Sequence, residues 1–335
     1  MSDTPLQVIQ YGVEGDTTPG TAVPATRRLA GGKVAWTAID ENYNPQHPVG
    51  VYTINPTDPV TLMRGVELSF DGDLNIEEMV DFLEMGVKEL AAPSGAGPYT
   101  WLFDPSESGA NDPRSYTFER RLTEGVTPAD IEAAFVHMKS FTISQDVNGP
   151  TKLRVEMFGR RAQSSTLTAA LAVPTLTFLS AGMWTVFIDA DTTVFGTTQI
   201  TGAIRTFEFT YQTGLFTKFF LDNRSDLDFS SVGTGPRGVE SLKMQVEWNG
   251  LADAERTAAR ANSRRLVRLR GIPSAGLEVR FDMVMRHSKG DFLTVTDADG
   301  NDVTEFDMVS AYDPAPGAGD PNHFEANIIN NRATL

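Results

Sequence analysis

The sequence predicts a mainly β protein, with antiparallel sheets in two related sandwich or barrel units that each carry one flanking α-helix. Three observations support this prediction. Segments that alternate apolar and polar residues recur along most of the chain. Two amphipathic stretches have helical periodicity, and each follows an alternating segment. A weak internal similarity relates the two halves.

The alternating segments are rich in Val, Ile, Phe, Tyr, Trp and Thr, which strands favour. A period of two buries one face of a strand and leaves the other in water, as in antiparallel sheets. The segments are VELSF (66–70), SYTFE (115–119), SFTIS (140–144), KLRVEMF (152–158), WTVFID (184–189), RTFEFTY (205–211), FTKFFLD (216–222), LKMQVEW (242–248) and LEVRFDMVM (277–285).

Two helices are predicted. The first covers 75–90, where Asn75 and Glu78 have the spacing of a capping box and apolar residues form one stripe. The second covers 251–270 and is closed by the glycine and proline that follow. A third, short helix is expected at 127–135, with Thr127 as its cap and Pro128 at its first position, and it runs into strand-like sequence.

The internal similarity relates 138–161 to 204–224, and each segment is interpreted as a strand pair around a glycine, Gly149 or Gly214. Fixed-period similarity of this kind indicates repeated structural units. We therefore predict three parts: an extended N-terminal arm over 1–45, a first β unit over 46–170 and a second β unit over 171–335.

The composition excludes several classes of protein. The formal charge of −16 disfavours a sequence-specific DNA binder, because an acidic surface repels phosphates. No run of about 18 apolar residues predicts a transmembrane helix. The first residues lack the basic and apolar regions of a secretory signal, and the absence of cysteine excludes disulfides and thiolate metal sites.

No pattern in the sequence predicts catalysis, a cofactor or a metal. The four histidines, His47, His137, His287 and His323, are interpreted as ordinary surface or half-buried residues. GTGPRG (233–238) has dinucleotide-motif spacing, but strand-like sequence follows it where a helix is required. DADGNDVTEFD lacks the glycine and final carboxylate of a calcium loop, so its start, DADGND (297–302), is predicted to be a hairpin turn.

The N-terminal segment GVEGDTTPGTAVPATRRLAGG (12–32) is polar, and its prolines disfavour a helix. It resembles the N-terminus of the tail tube proteins of long-tailed bacteriophages. The matching residues are Glu14, Thr17, Thr18, Pro19, Gly20, Thr21 and Ala22. GVELSFDGDLNIEEMVDFLEMGVK and MKSFTISQDVNGPTKLRVEMFGRR are similar to the strand–helix and hairpin parts of that family, so the resemblance extends over about 10–165.

The resemblance implies a virion protein, assembled in the host cytoplasm, that polymerises into stacked rings around a channel through which DNA is delivered. It implies a tape-measure protein, a tail terminator and distal tail proteins as further partners, without a membrane and without specific DNA binding. An acidic lumen would keep phosphates from adhering, and the arm would become ordered on a neighbouring subunit. Two β units per chain favour three chains per ring with pseudo-sixfold symmetry, and six chains are the alternative. A β-rich surface binding module, such as an adhesin, is the alternative function.

The two helices have opposite charge, which indicates candidate contacts between subunits. On the first, Glu77, Asp81 and Glu84 are expected on one face, opposite the apolar stripe. On the second, a stripe of arginines recurs every fourth residue: Arg256, Arg260, Arg264 and Arg268. We expect acidic and basic helices to meet across unit boundaries in the ring. Two solvated faces are the alternative, and a nucleic-acid site is disfavoured by the acidic chain.

Overall fold

The strands and helices are distributed along the whole chain. The computed structural model describes residues 6–15, 17–43, 60–90, 92–106, 109–123, 129–169, 171–220, 228–235, 239–291, 296–298, 301–317 and 320–334. The elements of the first half are β1 (Leu6–Val13), β2 (Arg27–Leu29), β3 (Gly32–Tyr43), β4 (Val60–Asp73), α1 (Glu78–Gly86), β5 (Tyr99–Phe103), β6 (Tyr116–Thr123), β7 (Ala129–Asp146), β8 (Lys152–Gly159) and β9 (Gln163–Ser164).

A short 3₁₀ helix (Ala181–Met183) precedes the second half. The elements that follow are β10 (Trp184–Ala190), β11 (Gln199–Ile200), β12 (Ile204–Gln212), β13 (Leu215–Lys218), β14 (Ser231–Thr234), β15 (Val239–Glu247), α2 (Gly250–Arg260), β16 (Arg265–Ser274), β17 (Leu277–His287), β18 (Thr296–Ala298), β19 (Asn301–Ser310) and β20 (Phe324–Asn330).

The predicted mainly β fold is confirmed, and every pairing between these strands is antiparallel. The main sheet has the order β3–β4–β8–β7–β12–β15–β19, and its strands alternate in direction. None of the helices in the described ranges is long and apolar enough to cross a membrane.

The long strand β7 belongs to two sheets. Its first part pairs with β6 and β9, and its second part pairs with β8 and β12. The change of partners lies next to Phe135, whose φ of 57° is unusual for a bulky residue and bends the strand. One sheet therefore folds over the other, and the core lies between them.

The same order of strand pairing occurs twice along the chain. In the first half the pairs are β1–β2, β1–β6, β3–β4, β4–β8, β6–β7, β7–β8 and β7–β9. In the second half the pairs, in the same sequence of roles, are β10–β11, β10–β16, β12–β15, β15–β19, β16–β17, β17–β19 and β17–β20. The two helices also have equivalent places, after β4 and after β15.

Of the two strand pairs proposed from the internal similarity, only one forms. β7 and β8 pair across Gly149 as predicted. The pair around Gly214 is wrong, because β12 pairs with β7 and β15, whereas β13 pairs with β14 as a separate ribbon. The second half therefore carries an insertion, β13–β14, between the strands that correspond to β3 and β4.

The predicted helices are shorter in the structure. α1 ends at Gly86, and α2 ends at Arg260 instead of residue 270. Asn262 has a φ of 50°, the left-handed conformation that commonly follows a helix end, and the alternating residues after it form β16. The short helix expected at 127–135 is wrong over its described part, because 129–135 lie in strand β7, while 124–128 lie outside the described residues.

Much of the predicted N-terminal arm belongs to the fold of its own subunit. β1 pairs with β6, and Ile9 and Tyr11 are buried in the main core. The expectation that the arm becomes ordered only on a neighbouring subunit is therefore wrong for β1. Within LQVIQYGV, Ile9, Tyr11 and Val13 alternate and pack against the main core, as the inward face of a strand does.

Candidate assembly surfaces

The acidic residues predicted on α1 point into their own subunit. Asp81 is 1% exposed and forms an ion pair with Arg332 near the C-terminus. The Tyr11 hydroxyl also donates to Asp81, at 2.7 Å. Glu77 accepts hydrogen bonds from the backbone and hydroxyl of Thr177, both at 2.8 Å.

Glu84 is likewise inside the subunit, with 0% exposure. The Tyr116 hydroxyl donates to it at 2.5 Å, and the Arg114 guanidinium lies 3.7 Å away. Burial raises the pKa of Glu84 to about 7. Asp81 and Glu84 are therefore not contacts between subunits. Every residue of α1 is buried, because other parts of the same chain cover the face that was expected to meet a basic helix across a unit boundary.

The predicted arginine stripe does not form, because α2 ends before two of its members. Arg256 and Arg260 lie on the helix and both bind Asp291, at 2.7 and 2.8 Å. Arg264 follows the helix and pairs with Asp313 at 2.8 Å. Arg268 lies in β16 and pairs with Asp282 on β17. All four cations therefore have acidic partners within the chain, where free charge for a neighbouring subunit was expected.

No metal-binding cluster of three or more His, Asp or Glu residues occurs in the described ranges. His137 is buried, which lowers its pKa to about 4. His287 is buried beside Glu255, with its Nε2 atom 3.1 Å from a carboxylate oxygen. His323 is 3.9 Å from Glu240, and His47 lies outside the described residues.

The described parts of the two loop motifs lie in or next to strands. Residues 233–234 of GTGPRG end strand β14, and 236–238 lie outside the described residues. The pairing of Ala298 with Asn301 confirms a hairpin at DADGND, although residues 299–300 are outside the described ranges.

The first surface suited to assembly is an open edge on β3. This strand has twelve residues and pairs with β4, and no other described strand pairs with it. Its counterpart β12 is paired on both edges, with β15 and, over 206–212, with β7. A long unpaired edge is a template for another chain, so β3 is the position where a further strand could join the main sheet.

The opposite end of the main sheet has a second open edge. The last residues of β17 and the short strand β18 both pair with β19. In the strand order, these residues correspond to the second part of β7 in the first half. No described strand pairs with the other edge of 286–291 or of β18, whereas β12 covers the corresponding edge of β7.

The outer face of the main sheet is polar and mostly acidic. The strand registers place these side chains in rows, such as Asp71–Arg154–Thr142–Thr210–Ser241. Ionisable residues on this face include Glu67, Asp71, Asp73, Asp146, Glu156, Glu208, Glu305 and Asp307, with Lys152, Arg154 and Lys243. Two open grooves of about 590 and 570 Å³ follow the face.

A carboxylate-closed turn follows β1. The buried Glu14 accepts from the backbone N–H groups of Gly20 (2.5 Å) and Phe135 (2.7 Å), and from the hydroxyls of Ser115 (2.6 Å) and Thr117 (2.9 Å). Gly20 has a φ of 79°, and Arg160 lies against it, so a side chain would clash there.

The same turn occurs near the end of β10. The buried Asp189 accepts from the backbone N–H groups of Gly196 (2.9 Å), Thr197 (3.2 Å) and Thr198 (2.6 Å). Gly196 also has a φ of 79° and lies against an arginine, Arg268.

The sequence signal of this repeat is visible once the turns are compared. EGDTTPGT (14–21) and DADTTVFGT (189–197) share an acid, the tripeptide Asp-Thr-Thr and a Gly-Thr, with one residue inserted in the second copy. Sequence reasoning missed it because it compared strands, where alternation alone produces weak similarity.

Comparison with known protein families finds no family that matches this chain, and comparison with curated proteins finds no relative.

Proposed function

We propose that the protein is a structural subunit that polymerises, through its sheet edges, into rings that stack into the hollow tail tube of a long-tailed bacteriophage. The observation that supports this most strongly is the repeat of the strand pairing in one direction along the main sheet. β3 and β12 run the same way, as do β4 and β15. Repetition in one direction along a sheet lets further copies continue the same sheet, and a sheet that continues in this way can close into a ring.

The strand pairing that joins the two units within the chain indicates how two chains would pair. Within the chain, β7 pairs with β12, as in Thr142 with Thr210. The equivalent edges of two chains are the β17–β18 edge of one and the β3 edge of the next. The contact is heterologous, since different surfaces meet, and such contacts close into rings when the rotation per unit permits. Main-chain pairing of an added strand is a known mode of association.

Two units per chain favour three chains per ring, with pseudo-sixfold symmetry. The resemblance to tail tube proteins implies six units around the channel. Three chains then present six copies of the unit, whereas six chains would present twelve. The expected mass of one ring is therefore three chain masses, about 110 kDa from a chain of 36.5 kDa.

The acidic outer face of the main sheet is suited to the channel wall. Closure through the sheet edges places this face on one side of a continuous sheet, and two open grooves follow the face. An excess of carboxylates repels the phosphates of DNA, so DNA passes without specific binding. A tape-measure protein in the channel, and a tail terminator and distal tail proteins at its ends, are the partners that the resemblance implies. The protein would then be located in the virion.

The direct test is negative-stain microscopy of the purified protein at high concentration, together with mass measurement of isolated rings. We expect rings or tubes, and a ring of three chains. A ring of six chains would contradict the trimer and retain the tube function. A dispersed monomer under all assembly conditions would contradict the tube function and favour the alternative of a β-rich binding module.

The edge contact is tested by a pair of proline variants, Thr37→Pro and Ala38→Pro, in β3. Successive residues of a strand point their N–H groups to opposite edges, so one variant removes a bond to β4 and the other removes an outward donor. The variant that retains the melting temperature identifies the outward position. We expect that variant to stay monomeric; normal rings from it would refute the β3 edge as the interface.

A further inference from the structure

In each of the two turns closed by Glu14 and Asp189, the fold requires some residues and not others. The buried acid and the positive-φ glycine close each turn, so their presence in both copies has a structural reason. The two turns also share a backbone bond, from Thr18 to Gly15 and from Thr193 to Ala190, both at 3.0 Å.

The first threonine at each tip has no such reason. Thr17 and Thr192 are exposed, and neither side chain forms a hydrogen bond to any described residue. The residues that follow them, Thr18 and Thr193, are also exposed, as is Val194 at 62%. Asp191 is half-buried and pairs with Arg264, so it has a structural role within the chain. The two halves share little sequence in their strands, yet Asp-Thr-Thr occurs in both turns, and its first threonine is exposed in each.

Both turns lie at the same end of the molecule. Val13 pairs with Tyr116, which pairs with Val136, next to the point where β7 passes between sheets. In the second half Ala190 pairs with Arg265, which pairs with Met285, where β17 changes partner to β19. Since equivalent strands of the main sheet run in the same direction, equivalent ends face the same way.

We infer that the tips of the two turns, at 17–18 and 192–193, form one contact surface that docks onto a second copy of the chain in the adjacent ring. This inference rests on the proposed function. A partner that recognises both turns must present a matching feature for each unit, with the same rotation between them. A second copy of this chain, approaching with its opposite end, has that repeat built in. Three chains would present six such turns around one face of the ring.

The contact is tested by solvent protection, since the chain has no native cysteine. Three single variants are made: Thr17→Cys, Thr192→Cys and, as a control, Thr257→Cys on the exposed side of α2. Maleimide labelling is measured on isolated rings and on tubes. We expect the cysteines introduced at 17 and 192 to react rapidly in rings and much more slowly in tubes, while the control changes less.

A second set of variants tests the energetic role of the turns. Thr17→Arg, Thr192→Arg and the double variant place a bulky cation at one or both tips, with Thr257→Arg as the matched control. We expect rings of normal mass from all four. Tubes should be shorter in either single variant and absent in the double variant.

The outcomes separate this inference from the proposed function. Equal labelling of rings and tubes at both tips, or normal tubes from the double variant, would overturn the docking role and leave the ring function intact. Absence of rings from the unmodified chain would overturn the proposed function itself.

Discussion

At the residue scale, Asp81 and Arg332 link the first helix to the end of the chain. They are 251 positions apart, and the Asp81 carboxylate is almost fully buried. Removing one partner of a buried ion pair leaves an uncompensated charge, which costs more than the pair contributes. Arg332 also donates to the Glu77 carbonyl at 2.8 Å, so it holds both the backbone and a side chain of the first helical region.

We therefore expect Arg332→Met to lower the free energy of unfolding by about 3–5 kcal/mol. Arg154→Met is the matched control, because Arg154 forms an exposed pair with Glu156 at 3.0 Å. Exposed pairs are typically worth up to about 1 kcal/mol. Chemical denaturation of both variants measures the difference, and similar losses would contradict the structural role of the buried pair.

The raised pKa of Glu84 predicts a pH dependence of stability. Its pKa is about 7 in the fold because burial favours the neutral form, whereas the ordinary pKa of this side chain is 4.5. A raised folded-state pKa gives stability that is present below the unfolded value and is lost as pH rises through the folded value. The window is therefore about pH 4.5 to 7.

Glu84→Gln removes this titration while it keeps the size of the side chain. We expect the unmodified protein to lose about 3 kcal/mol, relative to the variant, between the two ends of that window. Urea denaturation at intervals of pH measures the difference. A constant difference across the window would show that Glu84 does not titrate in it.

The burial of these carboxylates was not predictable from local sequence. Glu77, Asp81 and Glu84 have the spacing of a solvated helix face, and only distant residues cover them: Thr177, Arg332, Tyr116 and Arg114. Helical periodicity describes one element against water. It contains no information about a second layer of the same chain on the polar side.

At the element scale, the two helices begin with equivalent asparagines in different surroundings. The Asn249 side chain accepts from the backbone N–H groups of Leu251 and Ala252 at the exposed start of α2. Asn75 accepts from the Glu78 backbone and donates to the Glu78 carboxylate, at 2.8 and 2.7 Å, in a fully buried site. The predicted Asn75–Glu78 contact is therefore confirmed, although Glu78 also binds the backbone of Ala30 and Gly31.

We expect Asn249→Ala to cost about 1 kcal/mol, the usual value of an exposed cap. Asn75→Ala should cost about 2–3 kcal/mol, because it also leaves buried polar groups of Glu78 without a partner. Thermal unfolding of the two variants compares them directly. Equal losses would mean that burial adds nothing to the cap at Asn75.

The boundaries of the second helix show where sequence patterns fail. Two patterns overlap in this stretch. One is the spacing of a helix, every fourth residue, shown by Arg256, Arg260, Arg264 and Arg268. The other is the spacing of one strand face, every second residue, shown by Leu266, Arg268 and Arg270. Tertiary pairing decides between the two, since β16 is held between β10 and β17. The strands themselves were predictable because alternation persists along each of them.

At the scale of the whole molecule, the two repeated parts share one core. The main hydrophobic cluster extends from Ile9 to Ile328, and the β7–β12 pairing makes the sheet continuous. β5 of the first half pairs with β20 of the second, next to the Arg332 contact with α1. The strand pattern in the sequence indicates two units, but these cross-contacts could not be predicted from it, because they join residues far apart in the chain. Thr142 and Thr210 of the β7–β12 pairing are 68 positions apart, and the contacts of Trp101 and Arg332 span more than 200.

The shared core predicts that the two parts unfold together, although their strand pairing repeats. The four tryptophans are distributed evenly, with Trp36 and Trp101 in the first half and Trp184 and Trp248 in the second. Two variants, each with the tryptophans of one half replaced by Phe, therefore give fluorescence probes of the separate halves. If one cooperative transition links them, both variants have coincident transitions by fluorescence and by far-ultraviolet circular dichroism.

Trp101 is fully buried and donates to Asn330, so its replacement is destabilising. The variant without the first-half tryptophans therefore has a lower midpoint, by both probes together. Within a single variant, a fluorescence midpoint that differs from the circular dichroism midpoint would show that the halves unfold separately, and the β7–β12 and β5–β20 contacts would then be too weak to couple them.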